Sequence, residues 1–546
     1  MARVIIDIAC LLALGAASPL TAPAQGRASA AISARVDVQP RELLAATPSA
    51  NWLMYHGDYS GRRYSALDQI NAGNVAQLRA QWVFHAPGAG EWEVTPVVAD
   101  GIMFVGAAND AYAIDARTGQ AIWHYSRPVS EGLIDDASQH HNRGVGLWHS
   151  HVFIETDNAH LLCLDARSGN LLWDVAYAEG NKNYGATSAP LVVNDKVLVG
   201  TSGGDDGVRG FLAAFDAETG KPLWRFWTIP APGEPGSQSW PGKSYLHAGG
   251  TTWMPGTYDP ELGILYWGTS NPSPDFDGAV RPGDDIYTDS VVALDPNTGK
   301  LNWYFQFTPH DLFDYDAVET PVLVDAEFLG QPRKLLLEAN RNGFLYVLDR
   351  VTGKFLWAVP FAQKLNWASG IDAHGKPILT GFEPSAAGTL VCPGYAGATN
   401  WNAPSFNPAT QLFYFTALED CSTYFLKPQE FAEGRTYYST GVKHPADQHG
   451  HRLLMAFDLH SGKFSWSDVQ AGNGRSMSGT MTTAGGLVFF GDDAESIEAV
   501  DAATGASLWH FHTGQTMHAS PMTYAVDGKE YVAIASGSDL FSFALP

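Results

Sequence analysis

Cysteine is scarce in this sequence: there are four in 546 residues. So few exclude a small domain held together by disulfides and a protein built round several iron–sulfur clusters. No Cys-x-x-Cys-His run occurs, which excludes covalent c-type haem attachment. Positive charge is also short, with 33 Lys and Arg against 57 Asp and Glu and a formal net charge of −24. A general nucleic-acid binder needs a basic surface to neutralise phosphates, and docking on anionic lipid needs one too. No hydrophobic run reaches the length that crosses a membrane. Apolar residues make up 45% and charged residues 16%, the balance of a folded globular chain.

The N-terminus has the pattern of a secretory signal peptide over residues 1–24. Arg3 supplies the positive charge, Ile5 to Leu14 is largely apolar despite Asp7, and Ala22-Pro23-Ala24 precedes Gln25. A membrane anchor is the alternative, but the apolar run is too short and too broken for one. Export predicts a chain free of any anchor in an oxidising compartment. Removal of the peptide takes Cys10 and leaves Cys163, Cys392 and Cys421, an odd number, so at least one thiol stays free or pairs outside the chain. Cys163 sits in an apolar Leu-Leu-Cys-Leu run and is expected to be buried.

What the sequence has in quantity is Gly (56), Tyr (21) and Trp (17), a composition suited to short strands joined by tight turns. A repeat organises them: an apolar strand, Asp, a Gly four residues on, and a second strand carrying Trp. The copies are Asp115…Trp123, Asp165…Trp173, Asp216…Trp224, Asp295…Trp303, Asp349…Trp357, Asp458…Trp466 and Asp501…Trp509. In each the Trp follows the Asp by eight residues. One such hairpin cannot bury its own face, so the units must stack. Short strands, Gly turns and regularly spaced Trp predict an all-β protein, a β-propeller with the Trp residues docked between blades. The strand-like segments Leu78 to Val83, Glu530 to Ala535 and Leu540 to Phe543 would form one more blade from both chain ends. The expectation is therefore a single domain over 25–546 with eight blades, seven being the alternative. Intervals of 79 and 109 residues after Asp216 and Asp349 mark insertions.

Function in a propeller is read from the loops that break the repeat. Four stand out: Asp205-Asp206-Gly207-Val208-Arg209-Gly210, Trp267-Gly268-Thr269-Ser270-Asn271-Pro272, Thr308-Pro309-His310-Asp311-Leu312-Phe313-Asp314-Tyr315-Asp316 and Asn340-Arg341-Asn342-Gly343. Carboxylate and amide oxygens gathered from several loops suit a hard cation, calcium or a lanthanide; acidic loops that are merely solvated turns are the alternative. Asp314 and Asp316, two apart, would share a face on an extended strand.

These loops and the repeated Trp turns resemble the pyrroloquinoline-quinone (PQQ)-dependent alcohol dehydrogenases, the methanol and ethanol dehydrogenase family, from about Asn51 to the C-terminus. The resemblance implies an eight-bladed propeller holding PQQ and one metal ion over its channel, in the periplasm. By motif, Asp314 matches the catalytic carboxylate, and Arg341 the cation that orients it and contacts the quinone. Asp205, Asn271, Asp314 and Asp316 match metal positions, with Asp205 standing where the family usually has Glu. Trp253 matches the indole lying flat on one quinone face. Arg143 resembles a partner of a quinone carboxylate, and Glu93, Thr187 and Asn400 resemble further polar contacts. Asp316 favours a lanthanide over calcium, because a trivalent ion offsets a further carboxylate. The adjacent cysteines that often cover the other quinone face are absent: Ala137-Ser138 stand there, with His140 and His141 as nearby candidates or plain surface histidines. Cys392 and Cys421 match a structural disulfide.

The implied reaction is hydride transfer from an alcohol to the quinone C5 with Asp314 taking the hydroxyl proton, the metal acting as Lewis acid. Electrons would then pass to a separate soluble cytochrome c, drawn by the negative surface. The long insertion and the missing cysteines suggest a pocket for a larger primary or secondary alcohol. Two other classes remain: a non-catalytic binding propeller, and a metal-dependent hydrolase or lyase, which would need no flat indole.

Overall fold

A computed structural model gives the fold of residues 36–546, apart from 46, 87–89, 135–140, 180–182, 446–449 and 473. The expected signal peptide, Ala137, Ser138 and His140 lie outside the described residues. Among these residues the regular structure is almost wholly β, broken by a four-residue helix at Pro40–Leu43 and single 3₁₀ turns. Among the described residues no helix is long and apolar enough to cross a membrane.

Eight sheets of four or more strands occur among the described residues. The first runs Val97–Ala99, Ile102–Gly106, Asp110–Asp115, Ala121–Ser126, each strand antiparallel to the last. The same meander returns with its final strand at Leu171–Ala176, Pro222–Trp227, Leu301–Gln306, Phe355–Pro360, Lys463–Val469 and Ser507–His512. The remaining sheet joins the two ends of the chain. Arg79–His85 pairs with Asp539–Ala544, Val83 opposite Phe541, and Lys529–Ser536 and Met522–Val526 complete it. The pairing expected between the chain ends is therefore present.

Strand position explains sequence pattern. Ile102–Gly106 is buried along its whole length and is apolar throughout, as a strand covered on both faces must be. The final strand Lys463–Val469, by contrast, is exposed at every second residue.

The repeated Asp closes each turn. Asp165 accepts the Gly169 N–H through its carbonyl at 2.8 Å and the Ser168 N–H through its carboxylate at 2.8 Å. Gly169 takes φ 71°, a conformation that a Cβ resists. The glycine also leaves room: a Cβ there would stand 2.7 Å from the Trp123 ring of the preceding sheet. The Trp123 indole N–H donates to Ala166 O at 2.9 Å in the same turn. The same ring-on-glycine contact joins Trp82 to Gly119, Trp173 to Gly220, Trp224 to Gly299, Trp303 to Gly353 and Trp466 to Gly505. Trp82 escaped the repeat because Asn74, not Asp, stands eight residues before it. Trp357 departs from the pattern, packing on Phe457 with ring centroids 5.4 Å apart.

Besides strands of the four-stranded sheets, the 109-residue interval adds two small sheets. One pairs Ala368–Ile371 with Pro377–Leu379, and the other joins Thr389–Val391, Ser422–Leu426 and Thr440–Lys443. Cys392 and Cys421 are bonded to each other, and Cys163 is free and buried.

Candidate active site

Asp314 lies in a loop that the sequence bends sharply. The Asp311 carboxylate accepts the N–H groups of Phe313 at 3.1 Å and Tyr315 at 2.8 Å. Between them Asp314 is held at φ 64°. A left-handed non-glycine residue costs on the order of 1–3 kcal/mol, and such strain gathers at functional sites. The Tyr315 hydroxyl donates to Pro393 O at 2.6 Å, tying this loop to the insertion.

Arg341 stands opposite. Its guanidinium donates to Asp316 at 2.6 Å and to Tyr395 O at 2.8 Å, and lies 3.2 Å from Asp314. It thus holds both carboxylates, Asp316 more tightly than Asp314. Burial works against the Arg341 charge, but Asp314, Asp316, Glu319 and Asp205 outweigh it and raise its pKa. Burial pushes the Asp316 carboxyl upward, while Arg341, the Asn271 N–H and the Trp253 side chain pull it back.

Asn271 connects the two acidic walls. Its backbone N–H donates to Asp316 at 2.8 Å and its side-chain amide to Asp205 at 3.2 Å. Asp205 sits in the 3₁₀ turn Gly204–Asp206, between Gly203 at φ 92° and Gly207 at φ 74°.

The third wall is aromatic and cationic. The Arg143 guanidinium pairs with Glu93, donates to Thr187 O at 3.0 Å, and lies 4.8 Å from the Trp253 ring centroid. The Thr187 hydroxyl in turn donates to Trp253 O at 3.3 Å. Trp401 meets Trp253 edge-on at 6.1 Å, and its backbone N–H donates to the Asn400 side chain at 2.9 Å.

All these walls face one cavity of about 540 Å³, and every site residue expected from the sequence lines it. His141 lines it as well, 3.7 Å from Glu93. Sequence reasoning missed Trp401, Met477 and the rim of Phe276, Tyr395, Tyr438 and His444. Trp401 directly follows the expected Asn400, and three of the rim residues come from the 109-residue interval; that length was the available signal.

The chemistry of the lining is specific. Asp205, Asp314, Asp316 and the Asn271 amide offer oxygen donors only, the set a hard cation takes. Three carboxylates face one guanidinium, an excess of negative charge that a bound cation offsets. Among the described residues no three Asp, Glu, His or Cys side chains close round a point tightly enough to hold a metal as they stand. The carboxylates instead rest on Arg341 and Asn271. The guanidiniums of Arg143 and Arg341 and the indoles of Trp253 and Trp401 line the rest of the cavity. Planar cations beside aromatic faces suit a flat, oxygen-rich anion.

The disulfide supports the same wall. Next to it, Gly394 N–H donates to Asp420 O at 3.0 Å and Tyr395 N–H to the Ser422 hydroxyl at 3.1 Å, which sets the carbonyl that Arg341 grips. Replacing Cys392 and Cys421 by Ser is expected to lower stability by about 2–4 kcal/mol and to reduce kcat more than it raises KM. Urea unfolding and steady-state kinetics on the double variant check both.

Comparison with known proteins agrees with this chemistry. Residues 52–365 and 454–532 match the family described as PQQ, glucose/ethanol/alcohol dehydrogenase, β-propeller domain. The quinohemoprotein alcohol dehydrogenase of Comamonas testosteroni is 39% identical over 98% of this chain and 79% of its own length. The quinoprotein alcohol dehydrogenase PedH of Pseudomonas putida is 33% identical over 92% of this chain and 89% of its own. A solved europium-containing methanol dehydrogenase superposes with a TM-score of 0.85 at 30% identity, covering 92% of this chain and all of that one. The repeated four-stranded sheets, the cavity of carboxylates beside a flat indole, and these relationships lead to one conclusion: the chain belongs to the quinoprotein alcohol dehydrogenases, enzymes that oxidise an alcohol to an aldehyde or ketone with PQQ.

Proposed function

We propose that this protein is a periplasmic alcohol dehydrogenase in which Asp314 is the catalytic base, Arg341 its positioning cation, and the substrate an alcohol larger than methanol. The observation that carries the reading is the convergence on one cavity of the Asp314–Arg341 pair, the Trp253 indole, and the Arg143 guanidinium beside it. When bound, the quinone supplies the hydride acceptor and the metal a Lewis acid. Asp314 accepts the hydroxyl proton of the alcohol. Arg341 keeps Asp314 ionised and aimed, since an adjacent cation favours the carboxylate.

Trp253, Arg143, Thr187, Glu93 and Asn400 would hold the quinone. Asp205, Asn271, Asp314 and Asp316 would hold the ion. The count of carboxylates favours a lanthanide over calcium, because higher cation charge offsets them better. The aromatic rim of Phe276, Tyr395 and Tyr438 excludes water and suits an apolar substrate body. The eight sheets close into one eight-bladed ring over residues 25–546, with the sheet shared by the chain ends as its clasp. Residues 1–24 direct export, and a separate soluble cytochrome c takes the electrons.

The test is a dye-linked oxidation assay on purified protein given PQQ with calcium or with lanthanum, across alcohols from methanol to bulky secondary ones. Turnover is expected only with quinone and metal together, at least tenfold faster with lanthanum, and with higher kcat/KM for the larger alcohols. No turnover under any combination would reject the catalytic reading; equal rates with the two ions would reject the lanthanide assignment.

A further inference from the structure

The turn carrying Asp205 is gripped from outside by a segment of the insertion. Tyr437 N–H donates to Asp205 O at 2.7 Å. The Phe431 ring lies so close to Gly207 that a Cβ there would stand 2.8 Å from it. The His247 ring stacks on Phe431, with centroids 3.5 Å apart and planes inclined by 15°, and its Nδ1 lies 3.2 Å from Gly207 O. Tyr437 meets the same Phe431 ring edge-on at 5.6 Å. From inside, the Ser273 hydroxyl donates to Gly204 O at 2.9 Å. A Cβ on Gly204 would stand 3.0 Å from the Thr251 hydroxyl.

The turn is therefore sandwiched, and the sandwich has a consequence for reach. An Asp side chain is one C–C bond, about 1.5 Å, shorter than Glu. Its carboxylate nonetheless comes within 3.2 Å of the Asn271 amide. The backbone must stand close to the cavity for that to happen, and the groups that keep it there are Phe431, Tyr437 and His247. The same insertion holds the opposite wall, where Tyr395 O accepts from Arg341 at 2.8 Å. Both sides of the acidic cluster are thus fixed by one insertion.

We propose that Phe431, Tyr437 and His247 form a clamp that sets the distance from Asp205 to the Asn271–Asp314–Asp316 wall, and that this fixed gap makes the site selective for ion size. The proposal rests on the metal assignment made above. Selectivity among hard cations follows cavity size and rigidity; the carboxylates must turn from Arg341 and Asn271 to an ion, and a backbone held on both faces leaves that adjustment to the side chains alone. Phe431, Tyr437 and His247 are positioning residues; none of the three is among the oxygen donors.

The experiment is a calorimetric titration of the chelator-treated, quinone-free full chain with La³⁺, Lu³⁺ and Ca²⁺. Wild type is expected to bind one ion with a distinct La³⁺-to-Lu³⁺ preference. Phe431→Ala is expected to weaken La³⁺ at least tenfold and to flatten that preference to within twofold. His247→Ala should do the same to a smaller degree and supplies the readout should Phe431→Ala not fold. Phe431→Tyr, which keeps the ring, should behave as wild type. Asp205→Glu separates positioning from general loosening: the longer side chain should weaken binding where the loop is clamped and strengthen it in the Phe431→Ala background. Binding by Phe431→Ala and His247→Ala within twofold of wild type for all three ions, or Asp205→Glu acting alike in both backgrounds, would overturn the clamp and leave the metal assignment standing. Failure of wild type to bind any ion would overturn the metal assignment itself.

Discussion

Asp314→Asn is expected to lower kcat by about 10²–10⁴-fold, the range that a positioned general base contributes. The substitution is nearly isosteric, so the φ 64° backbone, the Asp311 cap and the Tyr315 anchor stay in place. What disappears is a carboxylate able to take the alcohol proton, and with it the ion pair to Arg341 at 3.2 Å. Asp316 keeps Arg341 in position at 2.6 Å, so the guanidinium does not swing away. The loss should therefore fall on kcat with KM changed little, while the quinone still binds. Absorbance titration with PQQ and single-turnover kinetics on the purified variant separate the two. A kcat within tenfold of wild type would mean that Asp314 is not the base.

Arg341→Met carries the largest expected effect on stability. Arg341 contacts both Asp314 and Asp316, and all three groups are buried. Removing one member of a buried ion pair leaves uncompensated charge, with a typical penalty of about 3–5 kcal/mol. The Tyr395 carbonyl also loses its donor. Urea unfolding of chelator-treated protein should show a drop of this size. Adding Asp316→Asn should recover part of it, because the second substitution removes the stranded charge; the double-mutant cycle measures that coupling. Lanthanum should also stabilise Arg341→Met more than wild type, since bound cation replaces the missing positive charge and binding to the folded state adds stability. A loss under 1 kcal/mol, with no recovery in the double variant, would show that Asp314 and Asp316 do not depend on Arg341.

The local parts of this protein are legible in the sequence because they depend on neighbours a few residues apart. Asp165, Ser168 and Gly169 make their turn among themselves, and the eight-residue spacing to Trp173 follows from one hairpin. The same rule failed at Trp82, where Asn74 replaces Asp; at Trp357 the spacing holds, but the indole packs on Phe457 of the following sheet and not on a turn glycine. The spacing of Asp314 and Asp316 predicts a shared face on an extended segment; Asp314 instead sits at φ 64° in a bent loop, and the two carboxylates meet at Arg341. The loop motifs named the remaining site residues one at a time, without saying what lay between them.

The meeting of distant loops depends on packing and had to come from the tertiary structure. Asp205, Asn271, Asp314 and Arg341 lie on four separate loops, and only the stacking of the sheets brings them to one cavity. That Arg341 lies closer to Asp316 than to Asp314 and also holds Tyr395 O is a set of contacts between loops far apart in the chain. The insertion after Asp349 was visible only as length, since its strands carry no repeat. Its place against Gly207 and Arg341 is fixed by ring packing and backbone hydrogen bonds between residues far apart in the chain. Sequence alone determined the turns, the strands, the bonded partners of the two chain ends and the kinds of side chain available for chemistry, because these follow from local geometry and periodic burial. The tertiary structure decided which of those side chains face one another and at what distance, because close contacts arise only once the sheets and the insertion have packed.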